Sequence, residues 1–362
     1  MEQIAKVVSH FNLDSGIAEI KPIVRGHINT TYLVILDNGR KYTLQAINHY
    51  VFRKPEKVME NIANVTEHIR EKIAQAGGDV DRECLSVVQT REGKNLYIDK
   101  ECKYWRMYSY VDDVRSYDIV EEPVQMYNAG VGFGHFQKML SDFPMDSLHE
   151  TIPNFHNTRT RLEDLFRAAE ENLAGRVDEV QEDLEFFRQR VADATVLVDL
   201  TEQGKLPLRV THNDTKVNNI LIDNKTGKAL CVIDLDTVMP GLAAIDFGDA
   251  IRYAANTAQE DEQDLSKVSL DMELYEQYAK GFLSEVAGDL TETELEYLAY
   301  GAKIVTLETG ARFLTDYLNG DVYFNIHRPG QNLDRARCQM ALVRSMEEKF
   351  DEMCRIVREA CR

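Results

Sequence analysis

The spacing of apolar residues changes once along the chain, near residue 115. Before that point, short apolar runs are separated by turn residues. "YLVIL", a turn at "DNGR" and "KYTLQAIN" form a hairpin signal, and "CLSVVQT", "NLYID" and "YWRMYSYV" are further predicted strands. One stretch there has a different period. "EKVMENIANVTEHIREKIAQAGG" carries apolar residues at 58, 59, 62, 65, 69 and 73, a helical spacing that closes on a glycine pair. Beyond residue 115 the pattern is helical: "VQMYNAGVGFGHFQKML" is amphipathic, 160–200 is a charged helical span, and helices resume after Pro240-Gly241 to the end. Only 207–236 interrupts them, with strands at "LPLRVTH", "NILID" and "ALCVIDLD" and a turn at "NKTGK". The expected fold class is therefore α+β and two-lobed. A small β-rich lobe spans 1–110 and a large, mainly helical lobe spans 111–362, with the boundary near "YSYVDDV".

Charge and cysteine content narrow the partners. The chain has 42 basic and 61 acidic side chains, a net charge of −19. Such a field repels nucleic acid and anionic membrane surfaces, so neither is an expected partner. A phosphorylated ligand would need local help from a divalent cation, Lys, Arg or backbone N–H groups. The six cysteines show no CxxC and no histidine at ligand spacing, which argues against zinc and a disulfide framework. The first residues lack an apolar leader core and no run of ~18 apolar residues occurs, so a cytoplasmic location is expected. The oligomeric state is left open, with a monomer favoured.

The densest chemistry lies in "VTHNDTKVNNILID" (210–223). His212-Asn213-Asp214 ends a strand, Asn219 follows Asp214 by five residues, and an apolar hairpin returns to Asp234. This is the layout of a kinase catalytic loop followed by a metal-binding aspartate. A carboxylate at Asp214 would orient and deprotonate an attacking hydroxyl, while Asn219 and Asp234 supply hard oxygen ligands for magnesium on the ATP phosphates. Lys216 is placed to neutralise charge on the moving phosphoryl group.

Two look-alikes sit in "VIDLDTVMPGLAAIDFGDAIR" (232–252). "DLDTV" is spelled like the nucleophile motif of haloacid-dehalogenase-type phosphatases, but the remaining chain lacks the alternating strands that fold needs. "DFG" (246–248) is spelled like a kinase magnesium motif, yet it follows a small-residue run and opens a helix. Asp234 is therefore expected to be the metal ligand, with Asp246 a helix cap or, less expected, a support for the catalytic loop. Asp236 is expected in a supporting role or as a strand-end acid.

In the first lobe, "VRGHINTTYLV" has one glycine, Gly26, and a polar run through His27, Asn29, Thr30 and Thr31. It reads equally as a donor-rich phosphate or substrate loop and as a plain hairpin turn. Gly26, Asn29, Thr30, Tyr108 and Tyr110 form the expected nucleotide-binding set. Gln45 occupies the strand position where protein kinases carry a phosphate-pairing lysine, and no Lys–Glu pair is assignable around it. Near the end, "ETGARFLTDYLNGDVYF" (308–324) interleaves Arg312, Asp316 and Asp321 with Phe313, Tyr317, Tyr323 and Phe324. Aromatic faces with an arginine and acids suit a polyhydroxyl ligand, but taken without context a helix end with core aromatics and a surface arginine is the favoured reading.

Together "GHINTTYLV", "WRMYSYVDD", "LRVTHNDTKVNNIL", "VIDLDTVMPG", "DFGDAIR" and "RFLTDYLNGDVYF" resemble the N-acetylhexosamine 1-kinases, nearly end to end. These belong to the aminoglycoside/choline phosphotransferase branch of the protein-kinase-like fold. The resemblance implies a bilobal kinase-like fold, with Asp214 as base, Asn219 and Asp234 on magnesium, and the sugar touched by His27, Asp214, Arg312 and Tyr323. It implies ATP as donor and ADP as product, with direct in-line transfer to the anomeric hydroxyl of an N-acetylated hexosamine, giving the α-1-phosphate. Two alternatives stay open: a related kinase for choline, homoserine or an aminoglycoside, and a non-catalytic nucleotide-binding module. N-acetylglucosamine and N-acetylgalactosamine are not separated.

Overall fold

The computed structural model describes residues 2–23 and 29–362. The chain divides into two compact units, the first made of Met1–Arg115, Asp142–Pro153 and Leu221–Met239, the second of the remaining three stretches.

The first unit is built on a five-stranded antiparallel sheet: β1 (Ile17–Ile23), β2 (Thr30–Leu36), β3 (Lys41–Ile47), β4 (Tyr97–Ile98) and β5 (Tyr104–Ser109), in the order β1-β2-β3-β5-β4. Alternation sets its two faces. Val34, Leu36, Tyr42, Leu44, Trp105 and Met107 point to one side, where they cluster with Val7, Val8 and Phe11 of and just after helix α1 (Glu2–Val8). Each fully buried side chain of this size contributes roughly 1.5–3 kcal/mol. Helix α2 (Pro55–Ala76) begins with Pro55 at its first turn and ends at Gly77, whose φ of 76° provides the left-handed cap expected of that glycine pair. The predicted strand "CLSVVQT" forms two isolated bridges, Val87–Tyr108 and Thr90–Phe11. The reason is the neighbour it would need: β5 is paired to β3 along one edge, and β4 holds part of the other at Tyr104 and Trp105.

The second unit is helical. Its central member is the helix Glu292–Leu318, started by a capping box in which Thr291 and Glu294 satisfy each other's backbone N–H groups. Helix α3 (Pro123–Met139) crosses the helix Met272–Val286 so closely that a Cβ on Gly281 would lie 2.1 Å from the Tyr127 carbonyl oxygen. The helix Ala243–Ala254 meets the central helix in the same way, and a Cβ on Gly248 would lie 2.5 Å from Ala302 Cα. The glycine of "DFG" is thus a packing residue. All six cysteines are free, and among the described residues no helix is long and apolar enough to cross a membrane.

Candidate active site

In the first unit the site residues converge on a buried ion pair. Arg106 stands in the middle of β5, with Trp105 and Met107 pointing to the opposite face. Its guanidinium grips Asp236 in a two-pronged pair, with Nη2 donating to Oδ2 at 2.9 Å, and its Nε donates to Gln45 Oε1 at 3.0 Å. Gln45 in turn donates to Thr31 at 3.2 Å. Asn29 donates to the same Asp236 Oδ2 at 2.8 Å and accepts from the Asn48 N–H at 3.0 Å. The arginine and the carboxylate are 1% and 4% exposed, so neither has water to fall back on. Burial works against the Arg106 charge, but Asp236 outweighs it and raises the arginine's pKa further. The cation missing from position 45 is thus present one strand away, with Gln45 as its acceptor.

Asp234 sits beside this pair in sequence, at the end of the return strand of the hairpin. It has a left-handed backbone, φ 60° and ψ 55°, uncommon for a residue with a Cβ and frequent where a side chain is aimed for function. Its charge reaches Arg106 and Tyr108. Tyr108 is buried with the Arg106 guanidinium 5.3 Å above its ring, and burial raises its hydroxyl pKa. Tyr110 is partly exposed with Lys41 over its ring. Thr30 begins β2 and is exposed, whereas Gly26 and His27 lie outside the described residues.

Arg106→Met leaves Asp236 charged, buried and unpaired. It is expected to lower stability by about 3–5 kcal/mol. Arg106→Met combined with Asp236→Leu recovers most of that loss, as read by chemical denaturation of the two variants.

In the second unit the loop 212–219 is held by its neighbours rather than by its own sequence. Asp246 Oδ2 accepts from the His212 N–H at 2.8 Å and from Gln137 at 2.9 Å, and its Oδ1 accepts from the Asn213 N–H at 2.7 Å. The Thr215 hydroxyl donates to the Asp246 carbonyl at 2.6 Å. Asp246 is therefore not the cap of its own helix but the brace of the loop 212–219, the lesser of the two roles expected for it. Burial raises its pKa, while His212 and these donors work in the other direction. The His212 ring is wedged edge-on against Phe133 and Phe136.

Asn213 adopts φ 62°, a turn that delivers Asp214. Lys216 Nζ lies 3.0 Å from Asp214 Oδ1. Burial alone would favour the acid form of Asp214, yet Lys216, His212 and Arg252 prevail and hold its pKa below the ordinary 3.8. The same pairing raises the pKa of Lys216. Asn219 spends its amide N–H on the Asp214 carbonyl at 2.9 Å, which leaves its carbonyl oxygen as the atom to offer a cation. Among the described residues no three His, Cys, Asp or Glu side chains cluster as a self-contained metal site.

The 308–324 segment separates cleanly into frame and face. Asp316 is buried and accepts from the backbone N–H groups of Val322, Tyr323 and Phe324 at 2.8–2.9 Å and from Asn332 at 2.9 Å. Asp321 pairs with Arg176 at 2.6 Å. Both acids are structural. The Arg312 guanidinium lies over Phe155 at 5.4 Å and Phe324 at 5.6 Å, and among the described residues it makes no hydrogen bond or ion pair. Tyr323 is 58% exposed.

Residues 19–286 match the model of the phosphotransferase enzyme family. That is well over half of the chain. The chain belongs to this phosphotransferase family.

The fold agrees along its whole length. A microcompartment-associated aminopropanol kinase aligns at 14% identity over 97% of this chain and 98% of its own, with a TM-score of 0.57. An aminoglycoside phosphotransferase from Alicyclobacillus acidocaldarius subsp. acidocaldarius aligns at 12% identity over 98% and 95%, with a TM-score of 0.59. The amicoumacin kinase hAmiN in complex with AMP-PNP, Ca2+ and Ami aligns at 13% identity over 96% and 93%, with a TM-score of 0.56. The fold class expected from the sequence, a β-rich lobe and a helical lobe of kinase-like type, is the fold found. Within this family, the residues that the sequence did not single out are Arg106, Gln137, His156 and Glu308. Arg106 had a signal, a lone charge inside the apolar strand "YWRMYSYV", and so had Glu308, a lone acid in the apolar run of the central helix.

Proposed function

We propose that this phosphotransferase uses ATP and magnesium to phosphorylate the anomeric hydroxyl of an N-acetylated hexosamine, giving the α-1-phosphate and ADP. Asp214 accepts the hydroxyl proton as the oxygen attacks. Its pKa is held low, so it is a weak base that takes the proton late, which suits an anomeric hydroxyl, more acidic than an ordinary alcohol. Lys216 balances charge near the reacting oxygens. Asn219 and Asp234 would hold magnesium, which when bound would supply positive charge against the ATP phosphates. The nucleotide falls to Asn29, Thr30, Tyr108 and Tyr110 together with Gly26, and the sugar to Arg312, Tyr323, Asp214 and His27.

The observation that carries the substrate class is Arg312. Its planar fork is steadied by two aromatic rings and its donors are uncommitted within the described protein. Such a group binds hydroxyl and amide oxygens and repels the cationic acceptors of a choline- or aminoglycoside-type reaction. Arg312→Ala is expected to raise the sugar KM about ten- to a hundredfold, the worth of a lost charge-assisted bond, while the ATP KM stays unchanged. Arg312→Lys restores only part, because an ammonium cannot reproduce the fork. ADP release with a panel of N-acetylated hexosamines, other sugars and choline measures both constants. A rise confined to the ATP KM, or preferred turnover of choline, overturns the reading.

A further inference from the structure

We propose that His156 is a doubly protonated imidazolium that positions the catalytic loop, donating from one ring nitrogen to Glu308 and from the other to the Asn213 carbonyl. The role rests on the reading of Asp214 as the catalytic base.

The geometry requires two donors. Nδ1 lies 2.9 Å from Glu308 Oε1, and Nε2 lies 3.0 Å from the Asn213 carbonyl oxygen. A carboxylate and a carbonyl are both acceptors. A neutral imidazole has one N–H and one lone pair, so it would press that lone pair against an oxygen in a place with little water to intervene. Only the imidazolium satisfies both contacts. The carboxylate is committed to this use, being completely buried, with its other oxygen accepting from the Thr158 hydroxyl at 3.1 Å.

The surroundings agree. Burial opposes the His156 charge, but Glu308 on the central helix, the Asn213 carbonyl and Asp249 on the helix Ala243–Ala254 outweigh it and raise the ring's pKa above the ordinary 6.5. Arg161 from helix α4 (Thr158–Glu171) and Arg312 from the central helix face Glu308 as well, and with His156 they hold that carboxyl in its ionised form against the effect of burial. The sign follows. The stabilisation from His156 is complete below pH 6.5 and is lost as pH rises through the raised value. Deprotonation takes away one of the two bonds, and the Asn213 carbonyl loses its bond from the ring one peptide before Asp214, while the Asn213 N–H stays fixed by Asp246.

The test does not depend on the substrate. In protein carrying ¹⁵N-histidine, the ring signal assigned by its absence in His156→Gln is expected to show both nitrogens protonated, with a titration midpoint above 6.5. Glu308→Gln lowers that midpoint and provides the assignment if His156→Gln does not fold. Asn213-Asp214 is the only Asn-Asp step in the chain. Labelling ¹³C′-Asn with ¹⁵N-Asp therefore isolates the Asn213 carbonyl, whose shift is expected to move with the same midpoint. A midpoint at or below 6.5, or an Asn213 carbonyl blind to the His156 titration, overturns the proposal. With Mg-ATP and N-acetylglucosamine, the wild-type kcat is expected to fall on the alkaline side with that midpoint. His156→Gln lacks this limb and has kcat lowered about tenfold with an unchanged ATP KM, as expected for misplacement of the loop. A variant that loses only thermal stability and keeps the alkaline limb also overturns it. Absence of turnover with every sugar, together with a charged His156 that reports on Asn213, would sink the substrate reading and leave the clamp standing.

Discussion

Asp214→Asn is expected to reduce kcat on the order of 10²-fold or more while leaving the fold and nucleotide binding in place. The substitution keeps the shape of the side chain and removes its capacity to take a proton. The loop does not depend on that carboxylate for its conformation, because Asp246 and His156 hold it through the backbone of 212 and 213, and Gln137 steadies Asp246. The cost to the fold falls mainly on Lys216, which loses its charged partner at 3.0 Å, with a smaller loss for His212 and Arg252. The wild-type enzyme gives a second readout. Since the pKa of Asp214 lies below 3.8, the acid limb of the rate profile belongs below that value, and the stability that its ionisation contributes is present above 3.8 and lost as pH falls further. Near-normal turnover in a folded Asp214→Asn protein would remove this residue from the chemistry.

Asp234→Ala is expected to abolish magnesium-dependent turnover at every practical metal concentration, because a carboxylate ligand disappears and no neighbouring acid takes its place as a ligand. The buried acid next to it, Asp236, is bound on both oxygens by Arg106 and Asn29. Asp246→Asn separates the two motifs. It replaces a carboxylate that accepts two backbone N–H groups and Gln137, so about 1.5–3 kcal/mol of stability is lost for each charge-assisted bond not remade. Its residual activity should keep the wild-type magnesium dependence. Magnesium titrations of both variants, alongside their unfolding curves, test the pair. If the metal dependence moves with Asp246 and is unchanged in Asp234→Ala, the two assignments are reversed.

The parts legible in the sequence are those whose physics is local. The hairpin of β2 and β3, the helix Pro55–Ala76 with its glycine cap, and the spacing from His212 through Asn219 to the return strand all declare themselves within about thirty residues. The supports of the site are not local. Arg106 meets Asp236 across 130 positions, and His156 meets Glu308 across 152. At either position the sequence shows a charged or titratable residue, and nothing in its neighbours tells which partner neutralises it. Asp246 illustrates the limit from the other side. An acid at the start of a helix is normally a cap, and the structure assigns it instead to a loop more than thirty residues earlier, since the helix Ala243–Ala254 is pressed against the central helix at Gly248.

The tie between Asp316 and the strip 322–324 bears on how this enzyme could acquire new acceptors. That strip is held by its peptide nitrogens and by the ring of Phe324, which packs against Phe313, while Asp316 grips the N–H of Val322, Tyr323 and Phe324 in succession. The side chains of Val322 and Tyr323 are 78% and 58% exposed. Positions 322 and 323 can therefore be varied widely while the path of the chain beside Arg312 is kept. Libraries randomised there should stay folded in most members, whereas libraries at Asp316 should not. If the acceptor lies against Arg312 and Tyr323 as proposed, selectivity is mutable at little risk to the scaffold, a property that favours descendants with altered appetites over descendants that fail to fold.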